Sequence, residues 1–260
     1  FIVFVFIFCA GLIVGSFLNV CILRGGTGES AMRGRSKCLH CEKTLSFVEL
    51  VPVVSFFAQK GRCRSCGAVL SLQYPLVELG TALLYTGTFF FLRNTFDFSF
   101  DSFFFIAALF AALAAGIVIV ITDFRFFIIP DGALVTLLIC AAVFLFLMPH
   151  NIKMAAAAAL VFSFFLFSLW FFSKGAWIGF GDVKLIFATS LLIGYPASIS
   201  GFLFSFWLGG IAGIFLLAVQ YKSLKSRIPF GPFIIAGTLL AYFLSDLFLR
   251  ITGFGILLTL

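Results

Sequence analysis

Two aspartates and four cysteines are the residues of this chain whose types and spacing could do chemistry. Asp123 closes the apolar run Ala114-Ala-Gly-Ile-Val-Ile-Val-Ile-Thr122, and Asp182 opens another in Gly179-Phe-Gly-Asp182-Val-Lys-Leu185. Acids at such places are costly to keep in lipid and are functional candidates for that reason. Two carboxylates brought together in a partly dry site cannot both ionise easily. They share a proton, so that one can act as base on a water while the other acts as acid towards a carbonyl oxygen. Gly179 and Gly181 would let the backbone approach an extended substrate closely. Each acid also has a plainer reading: Asp182 as a cap of the helix that follows, Asp123 as an ordinary interfacial charge.

The cysteines fall as Cys38-Leu-His-Cys41 and, after 21 intervening residues, Cys63-Arg-Ser-Cys66. A Cys-x-x-Cys turn aims two sulfurs at one point, and two such turns at this separation read as a tetrahedral zinc site. Arg62 and Arg64 would ease the holding of thiolates. The alternative is a pair of disulfides or free thiols, and a reducing compartment disfavours disulfides. His40 is superfluous beside four cysteines and reads as a surface histidine. Cys9, Cys21 and Cys140 lie in apolar runs and read as small buried hydrophobes.

The elements that must carry these residues follow from composition. The 260 residues are 63% hydrophobic and 10% charged, with 40 Phe. A soluble domain is about 45–50% apolar and about 25% charged, so a soluble fold, disorder and the collagen-like or disulfide-scaffold classes are excluded. The expected fold is an all-α polytopic membrane protein, because closed barrels alternate apolar and polar residues and these runs do not. About eight transmembrane helices are expected, at roughly 1–23, 74–92, 102–122, 132–148, 155–173, 183–194, 197–219 and 232–250. The sixth is short and reads as a half-helix or as one arm of a kinked hairpin with the seventh. The first is too long for a signal-peptide core and ends in a basic segment, so it reads as a retained span. The domains expected are the first helix, 1–23, a small zinc-binding domain at 24–73 that begins with a flexible Gly-rich exit, and the membrane domain 74–260. The metal would supply the folding energy of a domain too small for a core of its own.

Charge orients these spans. Arg24, Arg33, Arg35, Lys37, Lys43, Lys60, Arg62, Arg64, Arg125, Lys174, Lys184, Lys222, Lys225 and Arg227 fall on one side of an eight-span arrangement. Only Arg93, Lys153 and Arg250 fall on the other. The positive-inside rule then puts the N-terminus outside and segment 24–73 in the cytoplasm, with Asp123 and Asp182 at the cytoplasmic edge. The net charge of +7 is a topology signal that anionic lipid headgroups would welcome, and nucleic-acid binding is not needed to explain it. Of the other acids, Glu29, Glu42 and Glu49 lie in the polar segment, Asp97 and Asp101 in a short loop, and Asp246 near the end of the last span. Asp131 follows Pro130 and reads as an N-cap, which leaves Glu78 inside the second span.

Several motifs in order make the chain resemble the type IV prepilin peptidases, bifunctional leader peptidases and N-methyltransferases of the GxGD aspartyl protease group. They are Gly15-Ser-Phe-Leu-Asn-Val20, the paired Cys-x-x-Cys turns with Glu49-Leu-Val-Pro-Val-Val-Ser55 between them, and Tyr74-Pro-Leu-Val-Glu-Leu79. Asp123, eight residues before Asp131 of Ile129-Pro-Asp131, comes next, followed by Gly179-Phe-Gly-Asp182 and Ile228-Pro-Phe-Gly-Pro-Phe233. The resemblance covers nearly the whole chain. It implies that Asp123 and Asp182 are catalytic, with Gly179 and Gly181 supporting them, and that Cys38, Cys41, Cys63 and Cys66 are the knuckle ligands. The implied substrates are type IV prepilins or pseudopilins, cut at the cytoplasmic face of the bacterial inner membrane after a Gly that precedes a hydrophobic segment. The new N-terminal amine would then be methylated from S-adenosylmethionine. Glu78 is a candidate for binding that amine or the methyl donor, against a structural hydrogen bond in the helix interface.

The chain departs from the family pattern at Leu39, where Pro is usual, at Arg24-Gly-Gly after the first span, and at Arg125, where a second acid is familiar. No Gly-x-Gly-x-x-Gly of the Rossmann type marks a site for the methyl donor. The readings from other classes are a peptidase without methylation, a proton- or cation-coupled transporter with a zinc module, and a non-catalytic scaffold. A transporter should carry an internal repeat, and the halves show no convincing self-similarity.

Overall fold

The computed structural model describes residues 2–25, 34–94, 99–147, 151–219 and 228–251. The Gly-rich exit at 26–30, Arg33, Asp97 and the basic run Lys222, Lys225 and Arg227 lie outside the described residues, as do the side chains of Asp246 and Arg250. The chain is all-helical. Its helices are α1 (Ile2–Gly25), α2 (Val54–Ala58), α3 (Gln73–Leu92), α4 (Phe100–Phe126), α5 (Asp131–Leu147), α6 (Ile152–Ser173), α7 (Phe180–Ile193), α8 (Ala197–Ala218) and α9 (Gly231–Ile251), with a 3-10 turn at Phe47–Leu50. Among the described residues the only extended pairings are two isolated bridges, Lys37 with Thr44 and Arg62 with Val69.

Among the described residues five helices, α1, α3, α4, α6 and α8, are long and apolar enough to cross a membrane, which fits a multi-pass membrane protein. With 17 and 14 residues, α5 and α7 reach about 25 and 21 Å at 1.5 Å per residue, short of a hydrocarbon core of about 30 Å. The sixth apolar run is a helix of its own. Gly194, at φ 68°, and the cis Tyr195–Pro196 peptide separate α7 from α8.

Two compact units divide the chain, Phe1–Ser102 and Phe103–Leu260. In the first, α1 lies along α3 at a distance that only glycine permits. A Cβ on Gly11 would stand 2.5 Å from Ala82 Cα, and one on Gly15 would stand 2.7 Å from Glu78 Cα. Gly11-Leu-Ile-Val-Gly15 is thus a small-xxx-small seam, the usual way for membrane helices to pack where no hydrophobic drive separates lipid from side chain. Next to it the buried Asn19 donates to the carbonyls of Gly15 (3.3 Å) and Tyr74 (3.1 Å) and accepts from Gln73 Nε2 (3.3 Å). Cys140, in the second unit, is buried as expected, but Cys21 is half-buried and Cys9 lies on an exposed face of α1. That correction follows from periodicity, since an apolar helix end to end does not say which face meets protein.

In the second unit, α7 is packed against α5, α6, α8 and α9. The tightest seam joins α8 to α9, where a Cβ on Gly237 would stand 2.6 Å from Ser205 N and 2.7 Å from Gly201 O. Thr122, Thr189, Ser205 and Thr238 each donate to the carbonyl four residues back, so these four buried hydroxyls are satisfied within their own helix, whereas the buried hydroxyls of Ser198 and Ser200 find no partner among the described residues. Helix α6 starts on Asn151, whose side chain accepts the Met154 amide at 3.3 Å, and stops at Lys174 in the left-handed region.

The α8–α9 seam makes a direct test possible with one chemical change at two places. Gly237→Ala forces a methyl into backbone and should lower stability by about 1–3 kcal/mol, the usual range for overpacking. Gly210→Ala in α8, where a Cβ meets nothing within 4 Å, should leave stability unchanged or slightly raised. Unfolding of the purified protein in detergent, followed by heating, reads both.

Candidate active site

Asp123 lies in the last turn of α4, whose chain stops when Phe127 enters the left-handed region at φ 55° and donates to the Asp123 carbonyl at 3.0 Å. Its side chain is 6% exposed, and Oδ2 accepts the backbone N–H of Gly231 at 2.9 Å. Gly231 is the first residue of α9, so the donor is one of the amides that a helix N-terminus leaves without an internal partner. Such an amide at the positive end of the helix dipole favours a negative group. The contact leaves no room for a side chain, since a Cβ on Gly231 would stand 2.7 Å from Asp123 Oδ2.

Asp182 is arranged in the same way. It sits in the first turn of α7, is 7% exposed, and Oδ2 accepts the backbone N–H of Gly179 at 3.0 Å. The cap reading of Asp182 therefore holds in part: one oxygen closes the helix start. Among the described residues, the charge that acts on Asp182 is the carboxylate of Asp123. Neither carboxylate has a basic partner there. Ile129, from the loop between α4 and α5, lies against both halves of the site: its Cδ1 is 3.2 Å from the Cβ position of Gly181 and 3.4 Å from that of Gly231. The structure therefore brings Asp123, Asp182, Gly179 and Gly181 to one place and adds Gly231 and Ile129.

The expected N-cap role of Asp131 is corrected. Helix α5 starts at Asp131 itself, the Pro130 carbonyl accepts from Ala133 and Leu134, and the Asp131 side chain pairs with Lys184 Nζ at 2.8 Å. That pair ties the start of α5 to the first turns of α7. With both side chains well exposed, it contributes little to stability by itself.

The four knuckle cysteines form a second cluster, in the first unit. Their sulfurs all lie within 4.8 Å of one another, and Cys38 Sγ is 3.9 Å from Cys66 Sγ. Four thiolates at about 2.3 Å from a tetrahedral zinc stand about 3.8 Å apart, so the donor set fits the ion. None is in a disulfide. The two knuckles repeat one fold: Cys38 N donates to Lys43 O and Cys63 N to Ala68 O, while Glu42 N and Gly67 N return to the cysteine carbonyls. Glu42 and Gly67 hold matching positive φ values of 55° and 69°. Amides favour the thiolate form at Cys38 and Cys63, while burial and the neighbouring thiols push Cys66 up to about 11. The amides of Cys41 and His40 lower the Cys38 thiol, and those of Cys66 and Ser65 bring Cys63 to about 6. His40 is exposed.

Between the knuckles, Glu49 turns inward. Its Oε2 accepts the Ser46 amide (2.9 Å) and hydroxyl (2.8 Å), and Lys43 meets Oε1 at 3.3 Å, which together hold its carboxyl down at about 2. Glu78, buried in α3, accepts the Val53 amide at 2.7 Å and also bonds Ser16. Val53 has φ 61°, a region costing a β-branched residue about 1–3 kcal/mol, and the Glu78 bond helps hold it there. The structural hydrogen bond considered for Glu78 is thus present.

Sequence reasoning quoted Gly231 within a motif and gave it no role. Its signal was available: a Gly between Pro229 and Pro232 marks a helix start where close approach is needed.

Comparison with known proteins gives the family of the chain. Residues 9–92 match the model of the bacterial peptidase A24 N-terminal domain, and residues 109–214 match that of the type IV leader peptidase family. A protein of Bacillus subtilis (strain 168) named prepilin leader peptidase/N-methyltransferase is 31% identical over 92% of this chain and 94% of its own length. Proteins of the same name from Aeromonas hydrophila (30% identical, 90% of this chain and 88% of the relative) and Burkholderia pseudomallei (strain 1026b; 29%, 94% and 86%) match as fully. No solved structure matches the chain.

Proposed function

The chain belongs to the type IV leader peptidase family, and on that premise we propose that Asp123 and Asp182 form the dyad that cuts the leader from prepilins or pseudopilins. The protein is a prepilin leader peptidase with N-methyltransferase activity. The observation that carries the proposal is the matched burial of the two carboxylates, each with one oxygen held by an amide at a helix start and, among the described residues, no cation beside it.

The chemistry follows from that pairing. With one proton on the pair, the ionised aspartate removes a proton from a water, whose oxygen adds to the scissile carbonyl carbon while the protonated aspartate gives its proton to the carbonyl oxygen. The resulting gem-diol collapses, the C–N bond breaks, and the leaving nitrogen takes up a proton from the dyad. The two amides hold both carboxylates in place through these transfers, and Ile129 occupies the space beside them. The scissile bond of a prepilin lies between a short basic leader and a hydrophobic helix, so the site belongs at the cytoplasmic interface. The basic asymmetry supports that orientation, with the N-terminus outside and 24–73 cytoplasmic. In this arrangement α1 and α3 to α9 are the eight spans. The short α7 is tolerable because it packs among other helices rather than in lipid.

For the second activity, S-adenosylmethionine would supply the methyl group to the newly exposed amine. The segment 24–73 is the zinc-bound module serving that step, and residues 74–260 carry the peptidase. Glu78 is the candidate contact for the amine or the methyl donor from the α3 side, next to the Val53 amide it already holds.

Elemental analysis should find one zinc per chain, and X-ray absorption should find four sulfurs at about 2.3 Å. Cys38→Ser should lose the metal and impair methylation at least as much as cleavage. A metal-free protein with full methylation would contradict the zinc assignment.

Asp123→Asn and Asp182→Asn should each lower the rate of prepilin cleavage by roughly 10²–10⁴-fold, since either change removes a proton-transfer partner. Both variants should still bind zinc and methylate a pre-cleaved pilin. Gly231→Ala should also slow cleavage, by displacing Asp123, while leaving zinc content unchanged. An Asp182→Asn enzyme with near wild-type cleavage would defeat the dyad.

A further inference from the structure

Residues 46–59 invert the pattern of a water-exposed loop. Their one charged residue, Glu49, is 7% exposed and paired inward with Ser46 and Lys43. Their large hydrophobes face out: Phe47 is 87% exposed, and Val48, Val54 and Phe57 are all exposed. Immediately outside the stretch stand the exposed cations Lys43, Lys60, Arg62 and Arg64.

The depth of this stretch is fixed by one hydrogen bond. The Val53 amide donates to Glu78, the sixth residue of α3. At 1.5 Å per residue, Glu78 lies about 8 Å along the helix from its start. Helix α3 has 20 residues and counts among those able to span, so it covers about 30 Å, the thickness of the hydrocarbon core. Val53 therefore sits alongside a span, below its polar end. Interfacial segments bury their apolar faces about 5–10 Å into the boundary between headgroups and acyl chains, which is this depth. Leu76 and Leu83 on α3 are exposed as well, as on a helix that faces lipid.

We propose that residues 46–59 are a membrane-interface anchor: Phe47, Val48, Val54 and Phe57 seat in the headgroup–acyl boundary beside α3, and Lys60, Arg62 and Arg64 meet anionic lipid headgroups. The zinc module is thereby fixed at the bilayer surface instead of swinging on its two connections. Lipid is favoured over a protein partner by the depth and by the flanking cations. The inference does not rest on the proposed catalytic roles.

The full chain, reconstituted in vesicles of phosphatidylethanolamine and phosphatidylglycerol, tests it. The photocrosslinking analogue p-benzoylphenylalanine replaces Phe47, Phe57 or Phe56, the last having a ring that packs against Gly61. Zinc content of each variant checks that the module is folded. After irradiation, intact mass should show a phospholipid adduct at positions 47 and 57 several-fold above that at position 56. Replacing phosphatidylglycerol by phosphatidylcholine should lower the yield at both. Adducts to a second copy of the chain or to an added prepilin, or lipid yields no higher at 47 and 57 than at 56, would overturn the anchor. Yields indifferent to the anionic lipid would overturn the role assigned to Lys60, Arg62 and Arg64.

Discussion

A carboxylate buried among membrane helices needs a hydrogen-bond donor, and here each of two receives one from the backbone at the start of a helix. Everything else in the second unit serves that arrangement. Gly231 can donate to Asp123 only because it has no side chain, and α9 can bring it there only because Gly237 lets its backbone close onto α8. Asp182 gets its amide locally, from Gly179 three residues before it, so its position depends on the start of α7 alone. An amide holds a carboxylate without neutralising it, whereas a lysine or arginine would fix it as a permanent anion and end its use as an acid. On the proposed reading the pair thus remains free to exchange a proton.

The same restriction shows in the first unit with different chemistry. Four sulfurs within 4.8 Å cannot all be thiolates without a cation between them, and backbone amides again favour the charged form. The module around them has little apolar interior, and its largest hydrophobes point outward. On the readings proposed above, metal and membrane surface together would do for it what a core does for a soluble domain. Glu49 and Glu78 divide the remaining work, the first by folding the inter-knuckle segment onto itself and the second by tying Val53 to a span.

How much of this was legible in the sequence depended on how local each signal is. The apolar runs placed a helix at every expected position, because 20 consecutive apolar residues leave few options. The Cys-x-x-Cys turns announced their cluster because each is complete within four residues. Asp123 and Asp182 stood out as acids at the ends of apolar runs, and their meeting was inferred rather than read. Gly231 was missed because its partner is 108 residues away. Asp131 was read as a cap from Pro130 alone, since Lys184, 53 residues on, gives no local sign. The amides that favour the thiolates of Cys38 and Cys63 were not legible, because a sequence does not display backbone direction. Gly11 and Gly15 had the right spacing, but only the Cα positions of Glu78 and Ala82 show what they accommodate.

The central claim is that one proton shared between Asp123 and Asp182 performs the cleavage. The pH dependence of single-turnover prepilin cleavage in proteoliposomes tests it most directly, because it counts the ionisations the chemical step requires. The account predicts a bell, with activity lost on the acid side as the base becomes protonated and on the alkaline side as the acid loses its proton. A profile that is flat, or that falls on one side only, would contradict it.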